Sequence, residues 1–410
     1  MRTPAAASLK AGLRPTPAAA RFAATSLFST STSGFISPST SATINAPNGA
    51  RRRIGGLAQR RSYSSYPSEK PAPAPFAPTP RKKRTILDLH SLKKKGIPIT
   101  MLTAHNYPSA RFVESASLPP LPHSSFSDPS SSPLPSSSTP EPPSYPRGID
   151  ICLVGDSLAM VACGYTSTNQ LTLDEFLYHC RSVARGCTTS LLLADLPFGT
   201  YGASVEQGVR SAIRIIQEGG MDAIKIEGGM EIVPLVKALT DNGIPVMAHI
   251  GLTPQRQAAL SGYRVQGKTV EAAVRMWETA RALEEAGAFA FLIEAVPSKV
   301  GRWLTERVDV PTIGIGAGSG CSGQVLVQLD MLGVDSELGA SGKGPRFLKK
   351  FGDVGERARD AVREYVREVR EGAFPIEGEH TYPMSKEAWA GLVEWDKANP
   401  LRKKDEGEEA

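Results

Sequence analysis

The sequence predicts an α/β fold, a (β/α)8 TIM barrel, on three observations. Short, almost wholly apolar runs recur along the chain, as in strands buried on both faces of a parallel sheet. Segments with apolar residues at helical spacing separate them. Successive runs end in an ionisable residue, at the C-terminal strand ends where parallel α/β folds bind their ligands. Eight such strands within roughly 250 residues fit a closed barrel. A doubly wound open sheet is the alternative, because it uses the same kind of strand.

The elements follow in order. A short helix opens at Thr85, and residues 97–104 form the first strand before a helix at 107–113. The second strand, from Ile149, is a near-continuous apolar run that ends in Gly155-Asp156-Ser157. A helix over 172–185 starts at a Thr cap. The third strand (190–195) ends in Asp195, and a helix over 204–219 is stopped by two glycines. The fourth strand (223–229) carries Lys225 and Glu227, followed by a helix over 231–242. The fifth (244–249) ends in His249, and a long helix over 270–286 leads to the sixth (288–294), which ends in Glu294. A short helix over 297–307, a seventh strand (311–316) and an eighth beginning at Gln324 complete the set.

Around this single catalytic domain, expected over 81–384, lie segments of different composition. Residues 1–68 hold nine Lys/Arg and no acid, and are rich in Ser and Ala, the composition of a mitochondrial transit peptide directing the chain to the matrix. A Pro/Ala-rich linker (69–80) follows, and residues 385–410 read as a C-terminal tail. The Pro/Ser tract at 118–147 reads as a disordered loop insertion, which costs little because loop-closure entropy grows slowly with length. Taking the nine leader charges from the formal +6 leaves −3, so the remainder is mildly acidic and gives no support to a nucleic-acid partner. No apolar run approaches the ~18 residues of a membrane span. The five cysteines show no pairing pattern and read as small hydrophobes in a reducing compartment.

Alternation with period two puts Leu191, Leu193 and Asp195 on one face, Lys225 with Glu227, and Ala290 and Leu292 with Glu294. With these faces turned inward, Asp156, Asp195, Glu227, His249 and Glu294 converge at one rim. Carboxylates so close repel, so a positive charge belongs among them: Lys225, a divalent cation, or both. Oxygen ligands without a cysteine cluster or a His pair suit Mg²⁺ better than zinc. Such an ion could chelate a 2-oxo acid and make its adjacent C–H acidic. The glycine-rich run from Gly314 to Gly323 reads as a tight turn rather than a nucleotide cradle, because it is not a clean G-x-G-x-x-G after a first strand.

Beyond the residue chemistry, the chain resembles the ketopantoate hydroxymethyltransferase family. The segments that carry the resemblance begin at Ile99 (ITMLTA), Tyr107 (YPSAR), Leu153 (LVGDSL), Ala194 (ADLPFG), Ile224 (IKIEGG), Met247 (MAHIGLTPQ), Gly262 (GYRVQG), Leu292 (LIEAVP) and Thr312 (TIGIGAG). The resemblance implies transfer of a hydroxymethyl group from 5,10-methylenetetrahydrofolate to 3-methyl-2-oxobutanoate, giving ketopantoate at the start of pantothenate synthesis. It implies Mg²⁺ held by Asp156 and Asp195, with Glu227 supporting directly or through water. It implies Ser157 and Lys225 at the keto acid's carboxylate, His249 near the substrate, Glu294 as acid/base, and a homo-oligomer, a decamer in bacterial relatives. His105-Asn106 departs from the family's usual Tyr-Asp, which puts the role of Asn106 in doubt.

Overall fold

The computed structural model describes residues 82–116, 148–334 and 345–400. The expected leader, linker and Pro/Ser insertion lie outside the described residues, as do the last ten residues of the expected tail.

Strands and helices alternate as expected. Helix α1 (Ile86–Lys94) begins at a Thr85 capping box and precedes β1 (Ile99–Thr103) and α2 (Tyr107–Ser115). Then come β2 (Ile151–Val154), the one-turn α3 (Leu158–Val161) and α4 (Leu173–Gly186), capped by Thr172. β3 (Leu191–Asp195) leads to α5 (Val205–Gln217), β4 (Ala223–Glu227) to α6 (Val233–Asp241), and β5 (Val246–Gly251) to α7 (Val270–Glu285). β6 (Ala290–Glu294), α8 (Ser298–Thr305), β7 (Thr312–Ile315), β8 (Gly323–Leu326) and the short α9 (Gln328–Met331) follow. All eight strands are parallel and close in chain order, with Ile99 to Leu102 of β1 pairing Gly323 to Leu326 of β8. This closure removes the open-sheet alternative.

The period-two reading holds in three dimensions. Ile151, Leu153, Leu191, Leu193, Ala223, Met247, Ala290, Leu292, Ile313 and Val325 fill the barrel interior. Their sequence neighbours Cys152, Val154, Leu192, Ala194, Ile224, Ile226, Phe291 and Ile293 pack outward against the helices. Leu89 and Leu92 of α1 belong to the interior cluster. Since α1 feeds β1, it plugs the N-terminal end of the barrel and leaves the C-terminal end open.

Two helices went unassigned from sequence: α10 (Val354–Glu371) and α11 (Lys386–Ala398), the latter within the expected tail. Their apolar residues recur at helical spacing (Val362, Tyr365, Val366 and Val369 in α10; Trp389, Leu392 and Val393 in α11), yet they remain exposed. No helix among the described residues is long and apolar enough to cross a membrane.

Candidate active site

At the open end a single cavity of about 1110 Å³ is lined by Asp156, Ser157, Asp195, Lys225, Glu227, His249 and Glu294. Every site residue singled out from sequence lies there. Asp156, Asp195, Lys225, Glu227 and His249 are each at most 4% exposed. The barrel strands bring them together: Asp195 pairs in register with Lys225, and Glu227 with His249.

The charges interlock. The Asp156 backbone N–H donates to Asp195 Oδ2 at 2.9 Å. Lys225 Nζ lies 2.8 Å from Asp195 Oδ1, 4.0 Å from Glu227 Oε1 and 3.3 Å from His249 Nδ1. His249 Nδ1 is 3.3 Å from Glu227 Oε1, and its Nε2 is 3.2 Å from Glu294 Oε2. Burial, then Asp195 and Glu227, push the Asp156 carboxyl well above its ordinary range. Burial and the Lys225 charge disfavour protonation of His249, but Glu227 and the hydrogen bonds to Glu227 and Glu294 outweigh them and lift it to about 9. Burial opposes the Lys225 charge too, yet Asp195, Glu227 and Asp156 together hold it above its ordinary value.

Backbone geometry fixes Glu294 in particular. Ala295 beside it adopts φ 46°, the left-handed region that costs a non-glycine residue energy. Gly251 at the end of β5 has φ 95°, and a Cβ there would lie 2.3 Å from the Glu294 carbonyl oxygen. Only glycine lets the two chains approach so closely.

The donor set fits a divalent ion with oxygen ligands. Four carboxylates share one lysine and one histidine, and Asp195 Oδ1, though beside Lys225, is buried without an aligned hydrogen bond. Among the described residues no three His, Cys, Asp or Glu groups form a ready metal cage. Mg²⁺ takes one or two carboxylates and completes its octahedron with water or substrate. Asp156 and Asp195, side by side at the ends of β2 and β3, could hold it. Glu227 is already engaged, Oε1 with His249 and Oε2 as acceptor from the Gln255 N–H at 3.1 Å.

Several residues at the site were not singled out from sequence. Tyr165, Tyr263, Arg346 and Phe347 line the outer cavity. Gln255 and Tyr201 lie behind its wall. Gln255 and Tyr263 fall within the recognised segments, but nothing in residue type or spacing marked them. Asn106 is the N-cap of α2, its Oδ1 accepting from the Ser109 N–H at 2.9 Å, which gives it a structural role.

Comparisons with known proteins identify the family. The family model described as ketopantoate hydroxymethyltransferase matches residues 145–377. A protein of Emericella nidulans named 3-methyl-2-oxobutanoate hydroxymethyltransferase is 46% identical over 78% of this chain and 80% of its own length. One of the same name from Heliobacterium modesticaldum is 43% identical over 75% of this chain and 98% of its own. A relative from Oryza sativa subsp. japonica, whose name adds "mitochondrial", is 45% identical over 71% and 72%.

Proposed function

We propose a function from one premise: the chain belongs to the ketopantoate hydroxymethyltransferase family. It is a 3-methyl-2-oxobutanoate hydroxymethyltransferase, forming ketopantoate at the first step of pantothenate synthesis. The observation that carries the reading is the convergence, in one cavity of such a chain, of the seven polar residues that its segments supply.

The one-carbon donor in this reading is 5,10-methylenetetrahydrofolate, and the ion is Mg²⁺ between Asp156 and Asp195. When bound, the ion would polarise the keto oxygen and acidify the C3–H bond. Lys225, held cationic by its carboxylate neighbours, and Ser157, whose hydroxyl makes no cap bond in α3, receive the substrate carboxylate. Glu294 takes the C3 proton. It has the most exposed side chain of the ionisable ring, at 15%, so it can pass that proton on to solvent. His249, 3.2 Å away, steadies the Glu294 charge before transfer. The C3 carbanion equivalent forms a C–C bond to the donor's methylene carbon as one of its two C–N bonds breaks. Water then forms the C–O bond as the second C–N bond breaks, and the two folate nitrogens take up one proton from C3 and one from that water. The apolar strand ends beneath the ring keep bulk water from competing for the proton.

Incubation with the keto acid, the folate and Mg²⁺ should yield ketopantoate, and EDTA or Asp195→Ala should abolish it. No turnover of this pair, with C–C cleavage of a larger keto acid instead, would overturn the reading.

Two wider inferences accompany it. The plant relatives are named as mitochondrial, which together with the acid-free leader supports a location in the mitochondrial matrix. A fluorescent fusion lacking residues 1–68 should lose its organelle. The exposed apolar face of α10 (Val362 62%, Tyr365 58%, Val369 45%) supports a homo-oligomer, which light scattering would read directly.

A further inference from the structure

Gln255 lies outside the cavity lining and is 3% exposed, yet it touches two of the ring's carboxylates. It sits on a single turn, Pro254–Arg256, just after β5. Its Nε2 donates to Asp156 Oδ2 at 2.8 Å and to the Leu196 carbonyl at 2.9 Å. Its backbone N–H donates to Glu227 Oε2 at 3.1 Å. Its Oε1 accepts from the Tyr201 hydroxyl at 2.7 Å, and that hydroxyl is also 3.0 Å from the Glu227 carbonyl. The Gln255 carbonyl accepts from Asn169 Nδ2 at 3.1 Å, which pins the turn itself.

These partners determine the amide's orientation. A flipped amide would aim its oxygen at two acceptors, the Asp156 carboxylate and the Leu196 carbonyl, and would lose both hydrogen bonds. The Leu196 carbonyl therefore sets Nε2 toward Asp156, and the Tyr201 hydroxyl anchors the amide at its other end, Oε1. The donor is also neutral. It ties down one Asp156 oxygen without cancelling the charge, as a lysine or arginine there would. One residue thus bridges the ends of β2 and β4, and carboxylates fixed in this manner need no rearrangement when a cation arrives.

We propose that Gln255, anchored by Tyr201, is a positioning residue that holds Asp156 and Glu227 in the arrangement that takes the divalent cation. This rests on the metal reading given under Proposed function.

The test is Mn²⁺ binding to the purified, metal-free full chain without substrates, followed by the free-ion electron paramagnetic resonance signal. Asp195→Ala should abolish binding. Gln255→Met, similar in volume but unable to donate, should weaken Mn²⁺ affinity by about tenfold or more. Raising Mn²⁺ to saturation should then recover most of kcat. Tyr201→Phe removes one hydroxyl without opening a cavity and should weaken affinity by about threefold. A merely structural glutamine would lower the melting temperature and leave the Mn²⁺ affinity of the folded protein unchanged; that result in Gln255→Met overturns the proposal. Should Gln255→Met fail to fold, unchanged affinity in Tyr201→Phe overturns it equally. Wild-type protein that leaves the Mn²⁺ signal untouched removes the metal reading and this inference with it, whereas wild-type binding with an unaffected variant removes this inference alone.

Discussion

The two ends of the barrel use the same charged residues in opposite ways. At the N-terminal end each charge is tied to specific partners at the strand starts. Asp150, just before β2, accepts from Arg84 Nε at 2.8 Å and from the Thr100 backbone N–H and hydroxyl at 3.0 Å each. Lys93 Nζ donates to the carbonyls of Val308 at 2.6 Å and Val310 at 2.8 Å, just before β7. Glu114 accepts four hydrogen bonds from Thr188 and Thr189, just before β3. At the C-terminal end four carboxylates share Lys225 and His249, and burial, then its acidic neighbours, drive the Asp156 carboxyl upward. The first arrangement staples strands together. The second crowds four carboxylates around two cationic side chains, an arrangement that costs stability. The same fold thus separates stability from chemistry by the end of the strand on which a charge is placed.

Substitutions at the two ends should therefore fail differently. Asp195→Asn keeps an acceptor for the Asp156 N–H but removes a charge. Turnover should fall on the order of 10³-fold, while the melting temperature holds or rises. A drop of several degrees would show that the rim is a staple after all. Glu294→Gln should lower kcat by about 10²-fold or more with little change in the keto acid KM. A full kcat would take Glu294 out of the proton transfer. At the other end, Asp150→Ala leaves the half-buried Arg84 without its carboxylate and should cost about 3 kcal/mol by denaturant titration, with kcat of the folded enzyme intact. Lost kcat in fully folded protein would break the division.

The smallest effect concerns Glu114. Burial pushes its carboxyl up, but the hydrogen bonds from Thr188 and Thr189 outweigh burial and hold it below its ordinary value. A folded pKa below the unfolded one contributes stability above the unfolded value of about 4.3, and that stability is lost as pH falls through the folded pKa. Glu114→Gln should therefore have a lower urea midpoint than wild type at pH 7, and the gap should close toward pH 3. An equal gap at both values would assign the loss to packing instead.

Much of this was legible in the chain itself. Period-two alternation assigned Asp195, Glu227 and Glu294 to inward faces, and the barrel interior shows them there. The start of α4 was written in one residue, Thr172, whose side chain accepts the expected cap bond. α10 and α11 have an apolar period in the sequence, but they follow the last strand and their apolar residues stay exposed, so the strand–helix alternation does not mark them.

The sequence alone determined the number of strands, the face each residue takes and the chemical kinds gathered at the rim, because those follow from local periodicity and residue type. Only the tertiary structure decided distances. Gln255 and Asp156 stand 99 residues apart and meet at 2.8 Å. That contact exists because closing β8 onto β1 fixes the register of every strand between them, and register around a ring is a property of the whole barrel that no single segment carries.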